Sequence, residues 1–138
     1  MKRKSIALTG LLCICLIHPL PAHTRVAADL PDLKINQYEF VSTNSKALRV
    51  QVENYGKAAS RPCRLELAIR KVNGSAVTRK AVETIPAIEP RKEEWVEIYA
   101  TGILPAAISL QDTTFRLTVD ETNVVAESNE DNNVTWHN

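Results

Sequence analysis

Apolar and polar residues alternate along most of this chain. Leu48, Val50 and Val52 are interleaved with Arg49, Gln51 and Glu53, and Leu65, Leu67 and Ile69 with Arg64, Glu66 and Arg70. Val96, Ile98 and Ala100 alternate with Trp95, Glu97 and Tyr99, and Phe115, Leu117 and Val119 repeat the pattern. A period of two turns one face of each segment to a core and the other to water, so each reads as a half-buried β-strand. Leu33 and Ile35 open the series, but Tyr38 and Phe40 have the opposite parity, which predicts a bulge or a strand that changes sheets. Asn73-Gly74 is the strongest hairpin signal, since both residues accept positive φ. Asn54-Tyr55-Gly56 ends a strand, and Pro86 and Pro90 bracket a connection that cannot donate ladder hydrogen bonds. Only residues 104–110 offer a helical turn. Regularly spaced strands without intervening helices predict an antiparallel sandwich.

The first residues have a different character. Lys2, Arg3 and Lys4 precede an apolar run over residues 6–20, and Val26-Ala27-Ala28 supplies small residues for cleavage. This is the pattern of a secretory signal peptide spanning residues 1–28, cut after Ala28, with Ala22 as the weaker option. Leu12 and Ile14 stand before Cys13 and Cys15, where lipidation needs a small residue, so no lipid anchor is expected. The exported part, residues 29–138, has the size of one domain. Its expected destination is the periplasm, the cell surface or the medium. No stretch in it is long and apolar enough to cross a membrane.

Processing changes the charge. Loss of Lys2, Arg3, Lys4 and Arg25 leaves 13 of the 17 basic residues against all 16 acidic ones, a net of −3. A mildly acidic domain has no electrostatic attraction to nucleic acid or to anionic membrane, so neither is an expected partner. Cys63 is then the single cysteine. It shares parity with Leu65, Leu67 and Ile69, which makes it a buried thiol; the alternative is an exposed thiol forming an intermolecular disulfide.

The last quarter carries the most specific pattern. The alternating strand ending at Val119 runs into Asp120, Asn123, Glu127, Asn129, Glu130, Asp131, Asn132 and Asn133, and a second apolar patch, Val134 and Trp136, follows at once. Together with Asp32-Leu33-Lys34-Ile35, Val50-x-Val52-x-Asn54-x-Gly56 and Ile85-Pro86-x-Ile88-x-Pro90, this close resembles CARDB, the cell adhesion related domain found in bacteria. The resemblance covers nearly all of residues 29–138. It departs at Arg91, where the family usually has glycine, so the turn before the Trp95 strand is expected to differ. The resemblance implies an immunoglobulin-like sandwich of about seven strands in an exported bacterial protein with surface or adhesive roles.

Three groups of residues have candidate chemistry. Asp120, Asn123, Glu127, Asn129, Glu130 and Asp131 offer hard oxygen ligands suited to calcium, within a run in which Asp120, Asn123, Glu127, Asn129, Glu130, Asn132 and Asn133 form the closing turn motif. The same residue types also fix turns by bonding nearby backbone, and without a glycine at EF-hand spacing turn chemistry is the expected role. Trp95 and Tyr99 share parity with Glu97; with Val96 and Ile98 inward, they form an aromatic face for a protein or a surface polysaccharide. An inverted parity would instead make Trp95 the core tryptophan. Catalysis has little support: His137 is the one histidine outside the signal peptide, it lies beside the terminus, and no nucleophile elbow, Cys-His pair or zinc spacing is present. The sequons Asn73-Gly-Ser75 and Asn133-Val-Thr135 are expected to be turn residues. The function expected is therefore a non-catalytic binding, adhesion or assembly module. The alternatives are a calcium-stabilised adhesive domain, or a small secreted enzyme or inhibitor using residues 100–112 as a protruding loop.

Overall fold

A computed structural model describes residues 28–138, so the expected signal peptide lies outside the described residues except for Ala28. Seven strands form within them: β1 (Leu33–Phe40), β2 (Ala47–Asn54), β3 (Cys63–Val72), β4 (Ser75–Ile85), β5 (Glu93–Tyr99), β6 (Thr113–Val119) and β7 (Val134–His137). They make two antiparallel sheets ordered β1-β2-β5 and β4-β3-β6-β7, the all-β, immunoglobulin-like sandwich expected from the alternation. Leu48, Val50, Val52 and Ile98 of the first sheet meet Leu65, Leu67, Ile69, Phe115 and Leu117 of the second, all fully buried. Burying one such side chain contributes roughly 1.5–3 kcal/mol, so these facing rows dominate the stability of the fold.

The parity change in β1 is a bulge: the register with β2 shifts between Ile35 and Gln37, which swings Tyr38 and Phe40 back onto the core. A second bulge shifts β3 between Ile69 and Lys71, against both of its neighbours. Asn73 and Gly74, at φ 49° and 77°, close the β3–β4 hairpin as a two-residue turn whose twist suits the flanking strands.

Residues 104–110 do not form the expected helical turn. The chain instead turns over residues 100–104, where the Leu104 N–H donates to the Ala100 carbonyl, and Pro105 removes the next donor. The one helical turn in this stretch is a 3₁₀ turn over Leu110–Asp112, started by the Ser109 hydroxyl, which accepts from the Gln111 N–H.

Candidate functional site

The three-stranded sheet turns Trp95, Glu97 and Tyr99 outward. Their register partners Gln51, Arg49 and Ala47 stand on β2, with Gln37 and Glu39 beyond on β1. Val96 and Ile98 are buried, so the inverted parity is excluded for β5. Arg49 lies over the Trp95 ring, 5.0 Å from its centre, and is held there by Glu39 at 3.0 Å and Glu97 at 3.9 Å. The Tyr99 hydroxyl donates to Glu97, and Tyr99 keeps 45% of its surface exposed. These exposed ion pairs contribute little to stability. What they do is hold the Arg49 guanidinium of the central strand over Trp95, with Tyr99 on the same outer face of the edge strand β5.

The acidic-asparagine run lies at the end of the sandwich where β1 starts and β6 ends. Asp120, at φ 48°, accepts from the backbone N–H groups of Val124 at 3.1 Å and Val125 at 2.8 Å. Glu130 accepts from the Glu127 N–H, and Asn129 from that of Asp131. Glu127 is buried; one of its oxygens accepts from the Leu33 N–H and the other from the Asn133 amide at 3.0 Å. Asn132 donates to Asp32 at 2.7 Å, and the Ser128 N–H donates to the Pro31 carbonyl. The run is thus a clasp that fastens the start of β1 in one sheet to the β6–β7 connection of the other. The oxygens of Asp120, Glu127 and Asn129 and one of Glu130 are engaged with backbone and amide donors. Among the described residues the buried amide oxygens of Asn132 and Asn133 have no partner, and no three His, Cys, Asp or Glu side chains gather as a metal site. Burial pushes the Glu127 carboxyl up to about 7 against the pull of its two donors.

Asn54 completes this end. Fully buried, it accepts from the Asp32 and Gly56 N–H groups and donates to the carbonyls of Ala58 and Ile88, using its whole hydrogen-bonding capacity. A Cβ at position 56 would stand 2.3 Å from the Leu30 carbonyl oxygen, which explains the glycine. Arg91 occupies the third position of the turn over residues 89–92, closed by the Lys92 N–H on the Glu89 carbonyl. With Pro90 before it and φ at 61°, the turn is type II, the geometry that glycine suits at this position.

The opposite outer face, on the four-stranded sheet, gave a weaker signal in sequence. Glu66 points outward on β3 yet is 1% exposed, because Lys80 from β4 at 2.6 Å and Arg116 from β6 at 3.1 Å close over it. Burial alone would raise its carboxyl, but the hydrogen bonds and charges of these two cations hold it below its usual value. Arg116 lies 6.0 Å from the centre of the Trp136 ring, and Trp136 is half exposed.

Other candidates have structural places. Cys63 is buried, and desolvation pushes its thiol up to about 12, so it is a small apolar residue rather than a reactive one. The His137 ring stacks on Phe115 at 4.7 Å and bonds the Tyr38 hydroxyl at 3.0 Å. Residues 100–112 do not protrude. Leu104 and Leu110 are buried, Lys46 donates to the carbonyls of Leu104 and Pro105, and Arg79 donates to that of Ile103. The Asn133 side chain is buried in the clasp, and Asn73 is a turn residue.

Two packed antiparallel sheets of seven strands, closed by an acid-and-asparagine clasp, define an immunoglobulin-like sandwich domain. The CARDB family model matches residues 30–136, and the chain belongs to that family. Among solved structures it is similar to a domain assigned to a cell surface protein of Methanosarcina acetivorans. That likeness has a TM-score of 0.58 and 24% identity over 78% of this chain and 88% of that one, and it establishes the fold. It is also similar to a CARDB domain from Pyrococcus furiosus, solved in complex with di-metal ions, with a TM-score of 0.49 and 21% identity over 78% and 90%. No curated protein matches the chain.

Proposed function

We propose that this protein is an exported, non-catalytic binding module that recognises a macromolecule at the cell surface or in the periplasm through the outer face of β1-β2-β5. The observation that carries this reading is the Trp95–Arg49–Tyr99 array. Trp95 and Tyr99 stand outside the core cluster, on an edge strand, with a guanidinium stacked on the indole and carboxylates on either side. Rigid aromatics flanked by arginine are the side chains that dominate recognition surfaces. Membership of a family associated with adhesion, and the likeness to a cell-surface domain, support the compartment. Neither the buried thiol nor the packed histidine offers a nucleophile or base to a substrate, which supports a non-catalytic role.

The test is retention from an envelope extract by immobilised protein, compared with the Trp95→Ala/Tyr99→Ala variant. The wild type is expected to retain a defined protein or polysaccharide that the variant loses, with both melting at the same temperature. Equal retention by the two removes this face from the function.

A further inference from the structure

The two outer faces of the sandwich are oppositely charged, although the domain as a whole carries only a small net charge. On the four-stranded sheet, the register turns Arg64, Lys71, Lys80 and Arg116 outward with Arg70 at the bulge, against Glu66 alone: five cations and one carboxylate, a net of +4. Glu121 reaches Lys80 at 3.8 Å from the turn beyond and lowers this to +3 at the margin. Glu66 does not absorb the excess, and the Nε groups of Arg70 and Arg116 find no acceptor. On the three-stranded sheet, Glu39, Glu53, Glu93 and Glu97 face out against Lys34 and Arg49, four carboxylates and two cations, a net of −2. Each face also carries exposed aromatic surface, Tyr99 beside Trp95 on the acidic side and Trp136 on the basic side.

We infer that the partner of the acidic aromatic face is the basic face of a second copy of this chain, so that copies stack face to face, β1-β2-β5 of one on β4-β3-β6-β7 of the next. This rests on the reading of the Trp95–Tyr99 face as a contact surface and names what it contacts. Opposite potentials on two different surfaces of one molecule make a heterologous contact. It leaves a free face of each kind at the ends of every stack and is therefore open to further addition. Like faces repel, which sets the order of stacking. Strands about 4.8 Å apart and rising about 3.3 Å per residue give outer faces of about 350 Å² for the three-stranded sheet and about 500 Å² for the four-stranded one in projection. That is the small end of specific interfaces, so the association is weak and salt-sensitive, and it favours tethered or crowded copies.

Charge exchange tests this. Glu93→Lys/Glu97→Lys takes the acidic face from −2 to +2, and Arg64→Glu/Lys71→Glu takes the basic face from +4 to 0, and neither touches the Glu66 pair or the clasp. By sedimentation at up to about millimolar concentration in low salt, the wild type is expected to gain mass with concentration and to lose it near ~0.5 M salt. Each variant alone is expected to associate about tenfold or more weakly, and an equimolar mixture to recover one-to-one pairing at wild-type strength, because the unaltered basic face of the first variant then meets the unaltered acidic face of the second. A wild type that stays monomeric throughout, variants that associate as the wild type does, or a mixture that does not recover overturns the inference. If stacking fails while Trp95→Ala/Tyr99→Ala still abolishes retention of an envelope component, the contact face stands and its partner is another molecule.

Discussion

Arg91 shows how one residue departs from a pattern and what the departure costs. A side chain at φ 61° carries the crowding between Cβ and the following carbonyl that glycine avoids. Arg91→Gly relieves that crowding while adding freedom to the unfolded chain. The expected net result is a gain of about 0.5–1 kcal/mol in chemical denaturation, with the fold unchanged; a loss of stability would contradict the type II turn. Asn54 is the opposite case, a buried amide whose four bonds join β1, β2 and the Ile88 segment. Asn54→Ala strands the Asp32 and Gly56 N–H groups and the Ala58 carbonyl, while the Ile88 carbonyl keeps the Ser60 N–H, and is expected to cost about 3 kcal/mol. A loss under ~1 kcal/mol would mean that water replaces the side chain. The sequence marked both residues, one as a departure and one as a motif member. It did not reveal that Asp32, Asn54, Ile88 and the closing run meet at one end of the sandwich, since that depends on chain reversals between them.

Elements were legible where one face is fully buried. β2, β3, β5 and β6 alternate because both sheets cover their inner rows. β4 gave little signal because two of its inward parity positions, Arg79 and Glu83, are charged and stay exposed toward the open edge, and only the small Ala81 between them packs partly on the core. The bulge in β1 was visible as the step from Ile35 to Tyr38. The bulge in β3 has the same spacing, Ile69 to Val72, but the single apolar residue beyond it left no second alternation to reveal the change. The clasp shows why a ligand-like cluster needs geometry before chemistry. Asp120, Glu127, Asn129 and Glu130 have the right atoms for calcium, yet those atoms accept from Val124, Val125, Leu33, Asp131 and Glu127 N–H groups. Binding calcium would break these bonds, so calcium and chelator are expected to leave the melting temperature equal within about 1 °C. A rise of several degrees with calcium would show a site that reorganises the clasp, because a ligand bound only by the folded state must stabilise it.

Across the whole molecule, charge placement decides more than net charge does. The balance of residues 29–138 gives no overall attraction to nucleic acid or anionic membrane, but it conceals an acidic face and a basic one. It conceals Glu66 as well, whose outward parity reads as solvated until Lys80 and Arg116 arrive from neighbouring strands. The two buried carboxylates bias stability in opposite directions with pH. Glu66 titrates below its ordinary 4.5 in the fold, so its contribution is complete above that value and is lost as pH falls through the lowered one. Glu127, pushed up to about 7, favours the fold most below its ordinary 4.5, and that contribution, at most about 3 kcal/mol, is lost as pH rises through 7. Stability from these two groups is therefore expected to peak near pH 4.5, to decline progressively between about pH 4.5 and 7 as Glu127 loses its contribution, and to fall on the acid side as Glu66 is protonated. Glu127→Gln should flatten the alkaline limb and leave the acid limb, since the amide does not ionise. Glu66→Gln should weaken the acid limb at a cost of about 1–2 kcal/mol at neutral pH, less than for a fully buried pair because Lys80 and Arg116 are partly solvated. Denaturant midpoints from pH 3 to 9 measure both limbs. If the Glu127→Gln curve keeps the alkaline fall, the clasp carboxyl is already ionised in the fold at low pH, and its two N–H donors outweigh its burial.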